Sequence, residues 1–192
     1  MISGSVFILI GGKSKRFGSV KWRTKINGIS IIDNLLNICK NFQHVHLIGK
    51  NIPLDVNEKN FIQDILDIRA PINGLYTALE SSNTEWAFLL SSDLPLMVEK
   101  VLLELWENRK HGAEIVIPII NGELQPTCAL YNRILKNKCY EKIKNNKLSL
   151  LDFVNDANYY PLDLTHQSDS FLNMNTKNDL RVAKKILRLK KV

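Results

Sequence analysis

The chain alternates two kinds of apolar segment, and that alternation limits the folds open to it. Val6–Ile10, Val45–Ile48, Trp86–Leu90 and Ile115–Ile120 are short runs that are apolar at nearly every position, the pattern of strands buried on both faces. Phe61–Ile62 reads as a shorter strand, Cys128–Tyr131 as another after Pro126, and Tyr159–Leu162 as extended. Between them, Ile31, Ile32, Leu35, Ile38, Cys39 and Phe42 recur at helical spacing. Helices are also predicted from Leu75–Leu79 onward, over Leu96–Trp106, Arg133–Asn145 and Leu148–Val154, and after a Thr176 cap with Asp179 three residues on. Strands separated by helices in this way predict a mainly parallel sheet covered on each side, a three-layer α/β fold. With 192 residues, 45% of them apolar, the chain can bury one sizeable core, so a single domain over 1–192 is expected.

Several function classes are set aside by what the chain lacks. No run approaches the roughly 18 consecutive apolar residues of a membrane span, and the start has neither the charge nor the cleavage site of a signal peptide. A cytoplasmic protein with no membrane contact is expected. Cys39, Cys128 and Cys139 are odd in number and lack CxxC spacing, against a disulfide framework or a zinc site. His44, His46, His111 and His166 form no catalytic constellation. The formal net charge of +7 is unevenly placed. Lys13, Lys15, Arg16, Lys21, Arg23 and Lys25 crowd one short stretch, whereas Arg181, Lys184, Lys185, Arg188, Lys190 and Lys191 line the last helix opposite Leu180, Ala183, Ile186 and Leu187. The second group reads as a polar helix face near the favourable end of the dipole. Neither an RNP-type aromatic run nor helix-turn-helix spacing accompanies the charge, so no nucleic-acid partner is expected.

The first cluster follows a strand, in "ILIGGKSKRFG". A P-loop would need a glycine where Phe7 stands, in mid-strand, and the GxGxxG dinucleotide spacing is absent. What remains is a Gly11-Gly12 pair, which lets backbone amides approach a ligand closely, followed by cations suited to phosphate. In open α/β sheets ligands bind beyond the carboxyl ends of the strands. The exit of Trp86–Leu90 reads Ser91-Ser92-Asp93-Leu94-Pro95, which puts a carboxylate at another such end. Mg²⁺ bound to a triphosphate takes one or two carboxylates besides phosphate oxygens and water, which makes Asp93 the metal candidate; a helix N-cap is the alternative use of the same residue.

Five segments in order, "LIGGKSKRFGSVKWRTKINGISII", "APINGLYTAL", "LLSSDLPLM", "GELQPTCALYN" and "FLNMNTKNDL", resemble the signature blocks of the molybdenum cofactor guanylyltransferases. The resemblance implies a three-layer α/β/α Rossmann-like nucleotidyltransferase fold and transfer of GMP from GTP to molybdopterin, with Mg²⁺ and release of pyrophosphate. It implies molybdoenzymes or cofactor-delivery proteins as partners downstream. By the same resemblance Leu9, Ile10, Gly11 and Gly12 cradle the guanine and sugar side of GTP through backbone groups, Arg16 and Lys21 hold phosphate oxygens, and Asp64 contacts the nucleoside. Asp93 binds the metal and Asn175 completes its site. One residue is missing before the signature lysine, which leaves Lys25 as an alternative to Lys21, and Asn51 stands in for a family asparagine at the end of the second strand. The family's alanine is Ile10 here, its methionine Phe17, and the proline of its last block Lys177. The double glycine favours guanine over pyrimidine relatives, and Asn121–Tyr131 is expected to face the acceptor. A cytidylyl- or sugar-phosphate nucleotidyltransferase, and a non-catalytic molybdopterin-binding adaptor, are the alternatives. Asp93 speaks against the adaptor, since a carrier of a polyanion gains nothing from an added carboxylate.

Overall fold

The computed structural model describes residues 1–11, 20–53, 60–110 and 112–189. Gly12 and Arg16, both assigned roles above, lie outside the described residues, as do Phe17 and His111. The chain runs through β1 (Ile2–Leu9), β2 (Lys25–Ile26), β3 (Ile29–Ser30), α1 (Ile31–Cys39), β4 (Phe42–Gly49) and β5 (Phe61–Gln63). It continues through α2 (Pro71–Ser81), β6 (Trp86–Ser91), α3 (Glu99–Glu107), β7 (Ile115–Ile120) and β8 (Glu123–Leu124). The last third holds β9 (Cys128–Asn132), α4 (Lys136–Lys144), α5 (Leu150–Asn155), β10 (Tyr159–Asp163) and α6 (Lys177–Leu189).

The main sheet has the order β10-β7-β9-β6-β1-β4-β5, with β8 paired to β7. β1 lies between β4 and β6 and is parallel to both, with Val6 opposite Val45 on one side and Phe88 on the other. β4 with β5 and β7 with β10 are also parallel. β9 alone on this path runs the other way, antiparallel to both β6 and β7. The mainly parallel expectation therefore holds, with β9 reversed inside the sheet and the two-residue β8 reversed beside β7. The reason is chain length: a parallel crossover needs about a dozen residues or more, and the link from Ile120 to Cys128 is shorter. The chain turns back at Asn121-Gly122, both at positive φ, the dipeptide that a tight hairpin favours. Asn27-Gly28 makes the same turn between β2 and β3.

Side-chain alternation along β1 divides the core in two. Val6 and Ile8 face α1 and α3, packing with Leu35, Ile38, Val101 and Leu105. Phe7 faces α2, α4 and α5, packing with Leu75, Leu79, Ile143 and Phe153. This gives the three layers. Ser30 starts α1 by accepting a hydrogen bond from the Asp33 amide at 3.1 Å and donating to its carboxylate at 2.6 Å. α3 begins three residues later than the apolar spacing predicts. Pro95 lies in a turn in which the Met97 amide donates to Leu94 C=O, and Leu96 and Met97 are buried without being helical. The predicted helix over Arg133–Asn145 opens with a 3-10 turn, Arg133–Leu135. α6 packs Leu180, Ala183, Ile186 and Leu187 around Ile26 and Leu96, while Arg181, Lys184, Lys185 and Arg188 are exposed, as its two-sided pattern predicts. All three cysteines are free and buried, and burial pushes the Cys39 and Cys139 thiols up to about 12. No described helix is long and apolar enough to cross a membrane.

Candidate active site

Three adjacent parallel strands, β4, β1 and β6, end side by side, and the chain leaving each of them lines one hollow of about 550 Å³. β1 contributes Ile10 and Gly11, β4 contributes Gly49, Lys50 and Asn51, and β6 contributes Ser91, Ser92 and Asp93. A 3-10 turn, Lys21–Arg23, closes the side. Backbone hydrogen bonds hold these exits together. The Ile10 amide donates to Ile48 C=O at 2.9 Å, and the Ser92 amide donates to Leu9 C=O at 3.2 Å. Gly11 is not at positive φ, and a Cβ built there meets no described atom within 4 Å. Its missing side chain leaves backbone open to the hollow.

Asp93 is not a helix cap. α3 starts at Glu99, after Val98, so the carboxylate serves the hollow. Its Oδ1 accepts from Ser91 Oγ at 2.6 Å, which orients the group. Its backbone carbonyl accepts from the Met174 amide at 2.8 Å and so draws the segment before α6 to the rim. Lys21 reaches that segment, and its Nζ donates to Asn175 Oδ1 at 2.7 Å. Lys25 lies in β2, exposed and paired with Ser30, and does not line the hollow. Of the two lysines the sequence left open, Lys21 is the one brought to Asp93. The expected Thr176–Asp179 cap is present: the Asn175 and Thr176 amides donate to Asp179 Oδ2 at 2.8 and 2.7 Å, and the Asp179 amide donates to Thr176 Oγ1 at 3.2 Å. The Asn175 amide above all, then Thr176 and the Lys21 charge, hold the Asp179 carboxyl below its usual range.

Other expected residues are less directly placed. Leu9 does not line the hollow: its side chain points to the opposite layer, where a Cβ on Gly74 would stand 2.5 Å from Leu9 Cδ2, and its carbonyl accepts from the Ser92 amide. Asp64 does not line the hollow. Its amide donates to Gly49 C=O at 2.9 Å, and partial burial pushes its carboxyl up against the opposing pull of Lys50. None of the described histidines lines the hollow; His46 stacks between Phe7 and His44, and burial lowers its pKa.

Trp22, Arg23, Gly49, Lys50, Ser91 and Ser92 line the hollow without a role in it having been read for any of them. The signal for most of them was position: each of the last four sits at a strand's carboxyl end. Arg23 lies over the Trp22 ring at 4.7 Å. Lys50 Nζ donates to Leu66 C=O at 2.6 Å and meets Asp67 Oδ1 at 3.3 Å. The fully buried Asn73 donates to the same Leu66 carbonyl at 2.7 Å and to Ile68 C=O at 3.1 Å.

The donor set tells which metal chemistry the hollow suits. Among the described residues no cluster of three or more His, Cys, Asp or Glu is present, and the Asp93 carboxylate takes its hydrogen bond from Ser91 on Oδ1. A lone oriented carboxylate is a poor cage for a resident ion. It fits Mg²⁺, which takes most of its ligands from substrate phosphates and water.

The MobA-like NTP transferase domain matches residues 6–151. The chain is 32% identical over 182 residues to a probable molybdenum cofactor guanylyltransferase of Aquifex aeolicus (strain VF5), covering 91% of this chain and 87% of that one. The crystal structure of molybdopterin-guanine dinucleotide biosynthesis protein A from Archaeoglobus fulgidus shares the fold, with a TM-score of 0.80 and 23% identity over 96% of this chain and 98% of that one. The 2-C-methyl-D-erythritol 4-phosphate cytidylyltransferase of Francisella tularensis shares it too, with a TM-score of 0.71 and 18% identity over 94% and 98%. This chain belongs to the MobA-like NTP transferase family and is a nucleotidyltransferase.

Proposed function

We propose that this nucleotidyltransferase moves GMP from GTP to molybdopterin, with Mg²⁺ as its metal and the cytoplasm as its place of work. The observation that carries the reading is that Lys21 and Asp93, far apart in sequence, line one hollow with Gly11 at the sheet's carboxyl edge. Its volume of about 550 Å³ lies within the usual range for small-molecule sites. The Aquifex and Archaeoglobus relatives, by their names, support guanine as base and molybdopterin as acceptor.

In the proposed reaction a terminal phosphate oxygen of the acceptor forms a bond to the α-phosphorus of GTP. The bond from that phosphorus to the bridging oxygen breaks, and pyrophosphate leaves with the electron pair. Such transfers ask the protein for positioning and charge neutralisation rather than a covalent nucleophile. Lys21 supplies a mobile cation for phosphate oxygens, and Arg16 adds a forked one from the stretch outside the described residues. Ser91 keeps the Asp93 carboxylate turned for metal binding, and Gly11 with Gly12 offers backbone to the nucleoside side. A divalent ion on Asp93 and the phosphate oxygens would offset the charge growing on the α- and β-phosphates. Asn51, on the β4 wall, takes the nucleoside side, and Asp64, whose amide is bonded to Gly49 at the end of β4, borders that side from outside the hollow's lining.

Pyrophosphate release in the presence of molybdopterin and Mg²⁺, measured with GTP, CTP, ATP and UTP in turn, tests this reading. Release with GTP alone is expected. Equal release with all four would overturn the guanine assignment, and a CTP preference would select the cytidylyltransferase reading that the Francisella fold likeness favours. GTP binding with no release in the presence of intact acceptor would select the adaptor.

A further inference from the structure

We infer that Asn175 is a positioning residue for Lys21, a fixed acceptor that holds the ammonium at the rim of the hollow, rather than a ligand of the metal. The inference rests on the phosphate-gripping role proposed for Lys21 and deepens it. Lysine carries its charge on a long, freely rotating stem and has no fork to orient it, so a lysine meant to meet a phosphate at a set place needs something to set that place. Asn175 does this across 154 positions of sequence, with Oδ1 at 2.7 Å from Lys21 Nζ. An ammonium only donates, so the amide must present its oxygen.

The acceptor is itself built in place. One residue before it, the Met174 amide donates to the carbonyl of Asp93, the very residue whose carboxylate faces the hollow. At Asn175 and one residue after it, the two backbone amides are gripped by Asp179 Oδ2, in the first turn of α6. The segment is thus tied to β6 on one side and to a helix start on the other, and the Asn175 side chain between those ties has Lys21 as its partner. Lys21 and Asp93 are thereby registered against each other through Asn175, with no direct bond between them.

A metal role for the same oxygen conflicts with this arrangement. A Mg²⁺ ion would sit at about 2.0–2.1 Å from the oxygen that the ammonium already approaches, which would set two cations side by side on one neutral acceptor. The charge that offsets a divalent ion is on Asp93, not on the amide.

Substitution of Asn175 leaves the fold intact on this account, because its backbone amide, not its side chain, makes the cap with Asp179, and the side chain is exposed. The test is a double-mutant cycle with inorganic tripolyphosphate and Mn²⁺, read by calorimetry for the anion and by electron paramagnetic resonance for bound metal. Lys21→Ala is expected to weaken tripolyphosphate binding by about tenfold or more, as loss of a charge-assisted bond does. Asn175→Ala should weaken it by about threefold, and the double variant should be no weaker than Lys21→Ala alone. Asn175→Ala should keep Mn²⁺ affinity within about twofold of the parent protein, while Asp93→Ala loses it by about tenfold or more. Additive losses in the double variant, a loss of Mn²⁺ in Asn175→Ala equal to that in Asp93→Ala, or a parent protein that ignores tripolyphosphate would each overturn the inference. Because the probe carries no base, failure of the guanine assignment leaves this result standing, and the pyrophosphate assay with four nucleotides reads that assignment separately.

Discussion

Two lysines line the hollow, one from the 3-10 turn and one from the end of β4, and are held in different ways. Lys21 docks on a side-chain amide at the exposed rim, where the remaining N–H groups of its ammonium are open to an incoming phosphate in the proposed reaction. Lys50 is bound to a main-chain carbonyl, that of Leu66, which a fully buried Asn73 also holds from beneath, and Asn73 ties down Ile68 C=O as well. The second lysine is thus a brace, whereas the first keeps the exposed position in which the proposed reaction uses it. One residue type in one hollow is held in two ways, and only the partners reveal which.

The largest expected effect lies with the carboxylate that lines the hollow together with both lysines. Asp93→Ala should lower kcat/KM for pyrophosphate release by about 100–1000-fold, the scale of removing a group that stabilises transferring phosphate charge, with the thermal melt unchanged. Steady-state kinetics beside a melt checks both halves.

Next comes the contrast itself. Lys21→Ala should reduce nucleotide affinity by about tenfold and leave the melting temperature within a degree or two, because an exposed hydrogen bond contributes little to folding. On the braced wall the pattern should invert. Asn73→Ala removes two buried donors and should cost about 1–3 kcal/mol in urea unfolding, with a smaller change in nucleotide affinity. If Asn73→Ala left stability unchanged while Lys21→Ala lowered it, the roles assigned to the two walls would be reversed.

The smallest effect concerns Asp64, at the start of the braced segment. Its carboxyl is raised by partial burial, so at neutral pH the folded protein holds a charge it would rather shed. The sign follows: the folded state binds the proton more readily than the unfolded one, so this group costs stability above the raised pKa, and the cost fades as pH falls toward the ordinary carboxylate range. Asp64→Asn should therefore raise the urea midpoint slightly at pH 7, and the gain should shrink near pH 4. A rise in KM for nucleotide alongside it would mark Asp64 as keeping its charge for binding.

Much of this was legible in the residues. The apolar runs located the strands along the main sheet's path, though not the two-residue β2, β3 and β8; the three-layer fold followed from their alternation with helices, and inspection of strand ends led to Gly11 and Asp93. The Thr176–Asp179 cap could be read because both partners lie in one turn. What could not be read depends on partners distant in sequence. The Lys50–Leu66–Asn73 bracket exists because β4 pairs with β5 and the chain then doubles back into α2, and nothing local to Lys50 announces it. The Lys21–Asn175 bond is equally remote. Two other features did have local signals. Strand parity sends the Leu9 side chain with Phe7 to the layer opposite Ile8, which leaves its backbone for the cradle that the resemblance implies. The Asn121-Gly122 dipeptide marks the hairpin that reverses β9.

The central claim is that a metal-bound triphosphate lies between Lys21 and Asp93 and is cut there. The most direct measurement is the yield of pyrophosphate and guanylylated molybdopterin from GTP, Mg²⁺ and molybdopterin, with the parent protein and Asp93→Ala in parallel. The account predicts equal amounts of the two products from the parent and almost none from a folded Asp93→Ala. Product formation by Asp93→Ala at the parent's rate would contradict it.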